Sequence, residues 1–210
     1  MCTRFYVENH SFSSIIKKAQ MNALTNQMME RLAKHLAMSG EMRPTDMAAV
    51  IAPNKDGKPA AYPMIWGFSH KAVTVPIVNC RLENADKKEL WKDSWYRRRC
   101  AIPASWYYEW EHYIAPNGKK KAGAKYRIET KDDDVTLLAG LYRMEEHGGL
   151  QVPVFSVITR KATEELKAIH DRMPLILSYE DALDWIRPDS DPQEIAERAV
   201  RDLIFEKETG

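Results

Sequence analysis

Four strand-like segments follow one another between residues 100 and 158, and no helical pattern separates them. They cover residues 100–110, 126–130, 135–142 and 152–158. Parallel neighbours would need long crossover connections, usually helices, so this succession favours antiparallel pairing. We therefore predict an α+β fold with a mainly antiparallel, barrel-like β-sheet core flanked by helices. A chain of 210 residues without a repeat or linker is expected to form a single domain.

Further patterns complete the predicted elements. Helical spacing of apolar residues predicts helices over residues 13–36, 85–96, 161–169, 179–186 and 192–204. Strand patterns lie over residues 47–52, over residues 62–68 and near residue 175, with a turn at 54–57.

Composition argues against several classes of protein. A formal net charge of +1 is incompatible with a broadly basic surface, although basic residues cluster at 97–99 and 119–125. The second cluster is interpreted as a solvated loop. No apolar run has the length of a signal peptide or a membrane span. Three cysteines, at Cys2, Cys80 and Cys100, argue against a disulfide framework and for a reducing, cytoplasmic setting.

Cys2 has the most distinctive chemistry in the chain. Removal of Met1 would leave one residue carrying both a thiol and an α-amine. The reference pKa of an α-amine is about 7.7–8.0, so part of it is unprotonated near neutral pH. That amine can attack an aldehyde to form an imine, on which the thiol can close to give a thiazolidine. Taken alone, a cysteine at position two is also an ordinary coincidence.

Three polar side chains lie at the edges of predicted elements. Asn79 follows an apolar segment, Glu109 stands in the aromatic run 106–110, and His170 ends a predicted helix. Each has a structural interpretation, respectively as a helix cap, as the partner of an arginine, and as a charge at a helix C-terminus. Only their combination with Cys2 favours a functional interpretation.

Five motifs stand in a characteristic order between residue 2 and about residue 187. They are Cys2-Thr3-Arg4-Phe5, Trp66-Gly67-Phe68, Asn79-Cys80-Arg81-Leu82-Glu83, Ile102-Pro103-Ala104 with Tyr108-Glu109-Trp110, and Thr159 followed by His170-Asp171-Arg172-Met173-Pro174. This combination resembles the SOS response-associated peptidase (SRAP) family. The resemblance implies one SRAP-like domain over residues 1–210.

The resemblance implies a protein that senses abasic sites in single-stranded DNA during the DNA damage response. Family members remove their own Met1, and the exposed Cys2 then bonds covalently to the ring-opened deoxyribose. By motif, Asn79 orients the N-terminal residue and the sugar, while Glu109 and His170 transfer protons. The implied activities are autopeptidase and crosslinking or lyase-type chemistry without a cofactor or metal. The implied setting is a cytoplasmic monomer that joins the nucleoid when acting on DNA, with no membrane partner.

The residue chemistry agrees with this implication. Loss of water from a carbinolamine requires a proton donor and a proton acceptor nearby. A glutamate among aromatic residues has a raised pKa and can serve as either. Arginines hold phosphates through paired donors, and aromatic rings stack on bases. The predicted DNA-binding residues are Arg4, Arg81 and Arg172 on phosphates with Thr159 assisting, and Trp66 and Phe68 on bases.

The chain departs from the family pattern at several positions. Thr3 replaces a usual glycine, and Cys80 replaces a usual alanine, so that a second thiol is expected near the site. After Gly67 the common proline and second tryptophan are missing. The DNA-wedging surface is therefore the part of the prediction with the least sequence support.

Two other functions stay open at this point. One is an N-terminal-nucleophile hydrolase, in which Cys2 attacks an amide and Glu109 or His170 is the base. The other is a noncatalytic module that binds single strands through its aromatic residues and arginines. A metal site built from Cys2, His112 or His170 has no supporting ligand spacing.

Overall fold

Strands dominate the fold. The computed structural model of the protein describes residues 2–131 and 135–208. The strands are β1 (Arg4–Val7), β2 (Gly40–Met42), β3 (Met47–Pro53), β4 (Pro59–Trp66), β5 (Phe68–His70), β6 (Val73–Ile77), β7 (Asn79–Arg81), β8 (Arg99–Ala104), β9 (Trp106–Ile114), β10 (Lys120–Thr130), β11 (Thr136–His147), β12 (Leu150–Lys161), β13 (Arg172–Pro174), β14 (Ile176–Leu177) and β15 (Leu203–Lys207). The helices are α1 (Asn9–Gln20), α2 (Ala23–Leu32), α3 (Leu82–Ala85), α4 (Glu89–Arg97), α5 (Tyr179–Trp185) and α6 (Pro192–Glu197).

Five of these strands close into a barrel. Antiparallel pairing joins β4 to β3, β3 to β8, β8 to β11 and β11 to β12. Parallel pairing of β12 with β4 completes the ring, with Phe155 opposite Trp66. Helices α1, α4 and α5 pack against the barrel strands. The predicted α+β fold, with a mainly antiparallel, barrel-like core flanked by helices, is confirmed.

A second sheet carries the start of the described chain. Its strand order is β15-β10-β9-β1-β2, and all its pairings are antiparallel. Along β1, Phe5 and Val7 are buried while Arg4 and Tyr6 are partly exposed. This alternation turns Phe5 into the core, where its ring centre lies 5.0 Å from that of Trp66. The pairing of β1 in this sheet thereby fixes the position of the chain that follows Cys2 and Thr3.

Turn and cap residues divide segments that hydrophobic periodicity joins. The helix predicted over residues 13–36 is two helices, because the side chain of Asn22 caps α2 by accepting a hydrogen bond from Leu24 N at 3.0 Å. The strand predicted over residues 100–110 is interrupted at Ser105. Its halves, β8 and β9, belong to different sheets.

Gly67 ends a third predicted element early. The strand predicted over residues 62–68 stops at Trp66, because Gly67 has a φ of 122°. A Cβ atom at Gly67 would lie 2.5 Å from the Cβ of Pro76, so only glycine lets the β5–β6 hairpin approach this closely. The helix predicted over residues 85–96 is α4, preceded by the separate short helix α3.

Two helices predicted near the C-terminus are wrong over much of their length. Residues 161–169 contain only a 3-10 turn at Leu166–Ala168, because β12 continues to Lys161 and pairs with β13. The helix predicted over residues 192–204 ends at Glu197, and the chain then adds β15 to the edge of β10. A short apolar pattern does not distinguish a helix from a strand in these two segments. Pairing with β13 and β10 decides in favour of the strands.

The lysine cluster at 119–125 is also more ordered than predicted. Most of it belongs to β10, and the Nζ of Lys125 lies 3.5 Å from the ring centre of Tyr108. A solvated loop is therefore the wrong interpretation of this cluster. In the described part of the chain, no helix combines the length and apolar character required to cross a membrane.

Candidate functional site

Cys2 lies two residues before the start of β1, and its side chain is fully buried. The Nδ2 of Asn79 donates a hydrogen bond to the carbonyl oxygen of Cys2 at 2.8 Å, although 77 positions separate the two residues. Sheet topology explains the contact. Asn79 begins β7, which pairs in parallel with β12 at Val157, and this pairing places β7 beside the start of the chain. The prediction that Met1 is removed concerns a residue outside the described ranges.

The thiol of Cys2 is protonated at neutral pH. Burial raises the pKa of the thiol well above its ordinary value, and the negative charge of Glu109 raises it further. The Sγ also donates a weak hydrogen bond to Arg4 O at 3.7 Å. A protonated thiol is a weak nucleophile until a neighbouring group accepts its proton.

Glu109 lies on β9 and is only 4% exposed. The first four residues of β9, from Trp106 to Glu109, are all buried, so both faces of the strand are covered here. Burial raises the pKa of the Glu109 carboxyl above its ordinary value, and the charge of Asp171 acts in the same direction. A carboxyl with a raised pKa can both donate and accept a proton near neutral pH.

His170 follows the 3-10 turn and has two competing partners at one nitrogen. Its Nδ1 lies 3.0 Å from the backbone nitrogen of Arg172, which donates to it, and 3.0 Å from Oδ1 of Asp171. In the neutral ring, acceptance at Nδ1 places the proton on Nε2. In the protonated ring, Nδ1 becomes a donor and its partner is the Asp171 carboxylate. The ring also packs edge-on against His112, with 5.0 Å between ring centres.

The candidate proton-transfer residues border the same small gap in the packing, which is too small to hold a water molecule. Glu109 and His170 line it together with Tyr107 and Arg172. Glu109 also acts electrostatically on the thiol of Cys2. The fold therefore gathers Cys2, Asn79, Glu109 and His170 from four separate segments of the chain.

Two residues predicted to bind DNA belong to the buried framework. Thr159 is fully buried in β12, and its Oγ1 donates to Cys80 O at 3.4 Å. Arg172 is 7% exposed, and its guanidinium donates to Glu83 at 2.6 and 3.0 Å and to Thr159 O at 2.7 Å. Both side chains are buried in this structure, although the Nε of Arg172 has no hydrogen-bond partner among the residues that the structure describes. Contact of Thr159 and Arg172 with DNA stays a prediction.

The two aromatic residues predicted to stack on bases, Trp66 and Phe68, are buried as well. Trp66 has no exposed surface, stacks on Phe155 with 6.0 Å between ring centres, and donates from Nε1 to Val78 O at 3.1 Å. Phe68 is also fully buried and lies 5.0 Å from the ring of Trp91. Both side chains therefore pack in the core in this structure, and their stacking on bases stays a prediction.

Arg4 and Arg81 are the predicted phosphate-binding residues that the fold leaves accessible. Arg81 is exposed, and none of the described carboxylates forms an ion pair with it. Arg4 has a side chain that is 36% exposed, and its Nη1 lies 2.5 Å from Oε1 of Glu41. Glu41 also binds Lys125 at 3.3 Å, which holds the Arg4 side chain beside the sheet.

The departures from the family pattern have little effect on the site. The side chain of Thr3 is exposed, so its extra bulk meets solvent. Cys80 is fully buried, and burial raises the pKa of its thiol well above the ordinary value. Cys2 is just as buried and its thiol pKa is raised in the same way, so what separates the two residues is the α-amine that only Cys2 can present.

Sequence reasoning did not assign Glu41 or Glu83 to the site. Glu83 stands inside the motif 79–83, and the spacing of that motif was a usable signal. Glu41 has no such signal, because its partners Arg4 and Lys125 are 37 and 84 positions away. His112 came under consideration only as a metal ligand, whereas the structure places it against His170.

Comparison with known proteins gives a consistent match. The family model described as "SOS response associated peptidase (SRAP)" matches residues 1–207. The abasic site processing protein YoaM of Bacillus subtilis is 32% identical over 59% of this chain and 52% of its own length. The abasic site processing protein YedK of Escherichia coli is 29% identical over 68% of this chain and 62% of its own length. The chain spans about half the length of the curated relatives that it matches.

Solved structures show the same fold. A protein from Bacteroides thetaiotaomicron superposes with a TM-score of 0.74, at 18% identity, over 98% of this chain and 91% of its own. A phage-related protein from Bordetella bronchiseptica superposes with a TM-score of 0.70, at 20% identity, over 100% of this chain and 95% of its own. At these identities the likeness extends to the fold alone.

Proposed function

The chain belongs to the SOS response-associated peptidase family, and we propose that it processes abasic sites in single-stranded DNA by bonding to them through Cys2. The names of the relatives YoaM and YedK support abasic-site processing. The observation that carries the proposal is the 2.8 Å hydrogen bond from Asn79 to the carbonyl oxygen of Cys2. It holds in place the only residue that can present an α-amine and a thiol together.

Hydrolysis of the Met1–Cys2 bond comes first, because an amide nitrogen is not nucleophilic. The freed amine adds to the aldehyde of the ring-opened deoxyribose and gives a carbinolamine. Loss of one water forms the imine. The S–H of Cys2 then adds across the C=N bond. Sulfur bonds to carbon, the proton goes to nitrogen, and the thiazolidine closes without any redox change.

Glu109 transfers protons in the reaction steps that involve the amine. In its ionised form it takes a proton from the attacking amine, and in its protonated form it donates to the departing carbinolamine oxygen. Burial raises the pKa of Glu109, which favours the protonated form that the donor role requires. The same carboxylate accepts the proton of the buried thiol, which is otherwise a poor nucleophile.

His170 transfers protons in the reaction steps that open and close the sugar ring. The closed sugar is a hemiacetal, and its ring opens when a donor protonates the ring oxygen and a base takes the hydroxyl proton. A histidine that exchanges the backbone N–H of Arg172 for the carboxylate of Asp171 on protonation can do both. The reverse transfer reopens the adduct.

Arg4 and Arg81 bind phosphates on either side of the lesion. Exposed guanidiniums near a fixed nucleophile hold the sugar against it and turn a bimolecular condensation into a local one. Asn79, held against the Cys2 carbonyl, orients the N-terminal residue during attack. The hydrogen bond from Arg172 to the carbonyl oxygen of Thr159 supports this arrangement from inside the fold.

The test is intact-mass spectrometry after mixing the protein with a single strand containing one abasic site. We expect a stoichiometric adduct whose mass is the sum of protein and strand minus one water. Treatment with borohydride distinguishes its two forms, because an imine is reduced and a thiazolidine is not. Repeated turnover of peptide or amide substrates without any adduct would instead support the N-terminal-nucleophile hydrolase.

A further inference from the structure

A second basic cleft lies beyond the site described above. It has a volume of about 600 Å³ and opens between α3, the end of β12 and the segment of α6. This volume is within the usual range of ligand sites, roughly 300–1,000 Å³. The charged residues of its walls that matter here are Glu83, Lys87, Arg160, Lys161, Glu197 and Arg201.

Arg160 and Arg201 both line this cleft. Arg160 is partly buried, and Arg201 is exposed. In residues 2–131 and 135–208 neither guanidinium forms an ion pair with a carboxylate, unlike Arg172 nearby. Burial and the charge of Arg201 lower the pKa of Arg160. Two guanidiniums of like charge repel each other, and partial burial raises the cost of charging Arg160. A bound anion would offset both effects.

The acidic residues of the walls do not cancel this charge. Four basic residues line the cleft, against three acidic ones: Glu83, Asp86 and Glu197. Glu83 is neutralised by its two hydrogen bonds from Arg172. The remaining balance is four positive charges against two negative ones, with Arg160 at the most buried position.

We propose that Arg160 and Arg201 form a phosphate-binding site that holds a backbone phosphodiester of the captured strand, outside the lesion itself. This inference rests on the proposed function for the identity of the strand. The cleft borders the capture site, because Glu83 lines it and binds Arg172, whose backbone nitrogen donates to His170. The exposed Arg81 also acts electrostatically on Glu83. The charge of Arg81 thus acts on a residue that lines the cleft, and this is why we place a neighbouring phosphate of the strand there.

The experiment compares the wild type, the Arg160→Gln/Arg201→Gln double variant and an Arg31→Gln control. Arg31 is an exposed arginine of α2, a helix that packs beside the β11–β12 turn through Leu32 and Gly148, at the far end of β12 from Arg160. Binding of an undamaged single strand is titrated at several salt concentrations. Adduct formation with an abasic strand is followed separately, at saturating concentration. Thermal unfolding in inorganic phosphate is recorded for each protein.

Neutralising one phosphate contributes about 0.7 to the slope of log K against log salt for a single strand. We expect the double variant to lose about that much slope, the Arg31→Gln control to lose none, and all three proteins to form adduct equally fast at saturation. Single Arg201→Gln, at an exposed position, gives a smaller change in the same direction and replaces the double variant if that one unfolds.

A double variant with wild-type affinity and slope overturns the inference. It does so even if inorganic phosphate raises the unfolding temperature of the wild type alone, because the site then holds a small phosphate compound. Failure of the wild type to form any adduct would overturn the proposed function, while a reduced slope in the double variant would still establish the phosphate site.

Discussion

Arg172 and Glu83 form a two-point ion pair, with 2.6 Å between Nη1 and Oε1 and 3.0 Å between Nη2 and Oε2. The Arg172 side chain is 7% exposed and the Glu83 side chain 48%. Arg172 follows His170 by two positions, and Glu83 follows Asn79 by four. The pair therefore joins the two segments that carry these candidate catalytic residues.

We predict that Glu83→Gln lowers the free energy of unfolding by about 1–3 kcal/mol at neutral pH, the usual range for a hydrogen bond to a charged group. Burial opposes ionisation of Glu83, but the hydrogen bond and charge of Arg172 outweigh it and lower the pKa. The stabilisation is therefore present above the unfolded pKa of about 4.3 and lost as pH falls through the folded value.

Urea unfolding at pH 7 and in acid checks this prediction. The difference between wild type and Glu83→Gln should shrink in acid, whereas Glu30→Gln, at an exposed position of α2, should be neutral at both values. An equal penalty for Glu83→Gln at every pH would mean that packing, rather than the ion pair, is lost.

Cys2 is the only cysteine that can combine a thiol with an α-amine. We predict that purified active protein lacks Met1, that Cys2→Ala abolishes the stable adduct, and that Cys80→Ala and Cys100→Ala retain it. Intact mass and denaturing gels measure all three. Cys2→Ser should form only a borohydride-trapped imine. Loss of the adduct in Cys80→Ala, with its fold intact, would show that Cys2 is the wrong nucleophile.

Asn79 acts on the capture step through position. We predict that Asn79→Ala slows adduct formation by about 10²-fold, because loss of the hydrogen bond to the Cys2 carbonyl frees the nucleophile from its fixed orientation. Asn79→Asp keeps the shape but removes the amide donor, so it should be slow as well. A crosslinking time course gives the rate. Wild-type rates in both variants would show that the contact does not position Cys2.

The strand order and the grouping of the site were predictable to different degrees. Apolar runs bounded by turn residues predict the strands of the barrel, and several of these runs do not alternate because β8 and most of β12 are buried on both faces. The course of residues 161–169 was not predictable, since pairing of β12 with β13 at Arg160 and Met173 outweighs a short helical pattern.

Motifs alone identify the residues of the candidate chemical site, whereas they do not indicate how deeply the candidate DNA-binding residues are buried. Cys2, Asn79, Glu109 and His170 are polar groups with few alternatives, and the fold brings them together. Trp66 and Arg172 have side chains that suit either DNA binding or the core. Their burial depends on partners far along the chain, such as Phe155 and Glu83, which no local pattern indicates.

Glu109 and His170 should differ in the step that they affect. We predict that Glu109→Gln slows imine formation by about 10²–10⁴-fold, the usual contribution of a general acid or base. His170→Ala should slow capture of the closed sugar and reversal of the adduct. Capture of a small open-chain aldehyde should be less affected in His170→Ala than in Glu109→Gln. Binding of undamaged strands is the control, and it should stay unchanged. Equal rates for both variants and the wild type would exclude proton transfer by these residues.

The raised pKa of Glu109 predicts that replacing this residue increases stability while it decreases activity. Because burial raises its pKa in the folded state, the unfolded state releases this proton at lower pH than the folded state does. Stability that is present below the unfolded pKa, about 4.3, is therefore lost as pH rises through the folded value.

Glutamine has the same shape as glutamic acid and carries no charge. We predict that Glu109→Gln equals the wild type in acid and is more stable than it at neutral pH, while it loses capture activity. Denaturant unfolding across this pH range measures the difference. A Glu109→Gln variant that is less stable than the wild type at neutral pH would show that the ionised carboxylate is a net stabilising group, and its raised pKa would then not explain proton transfer at this site.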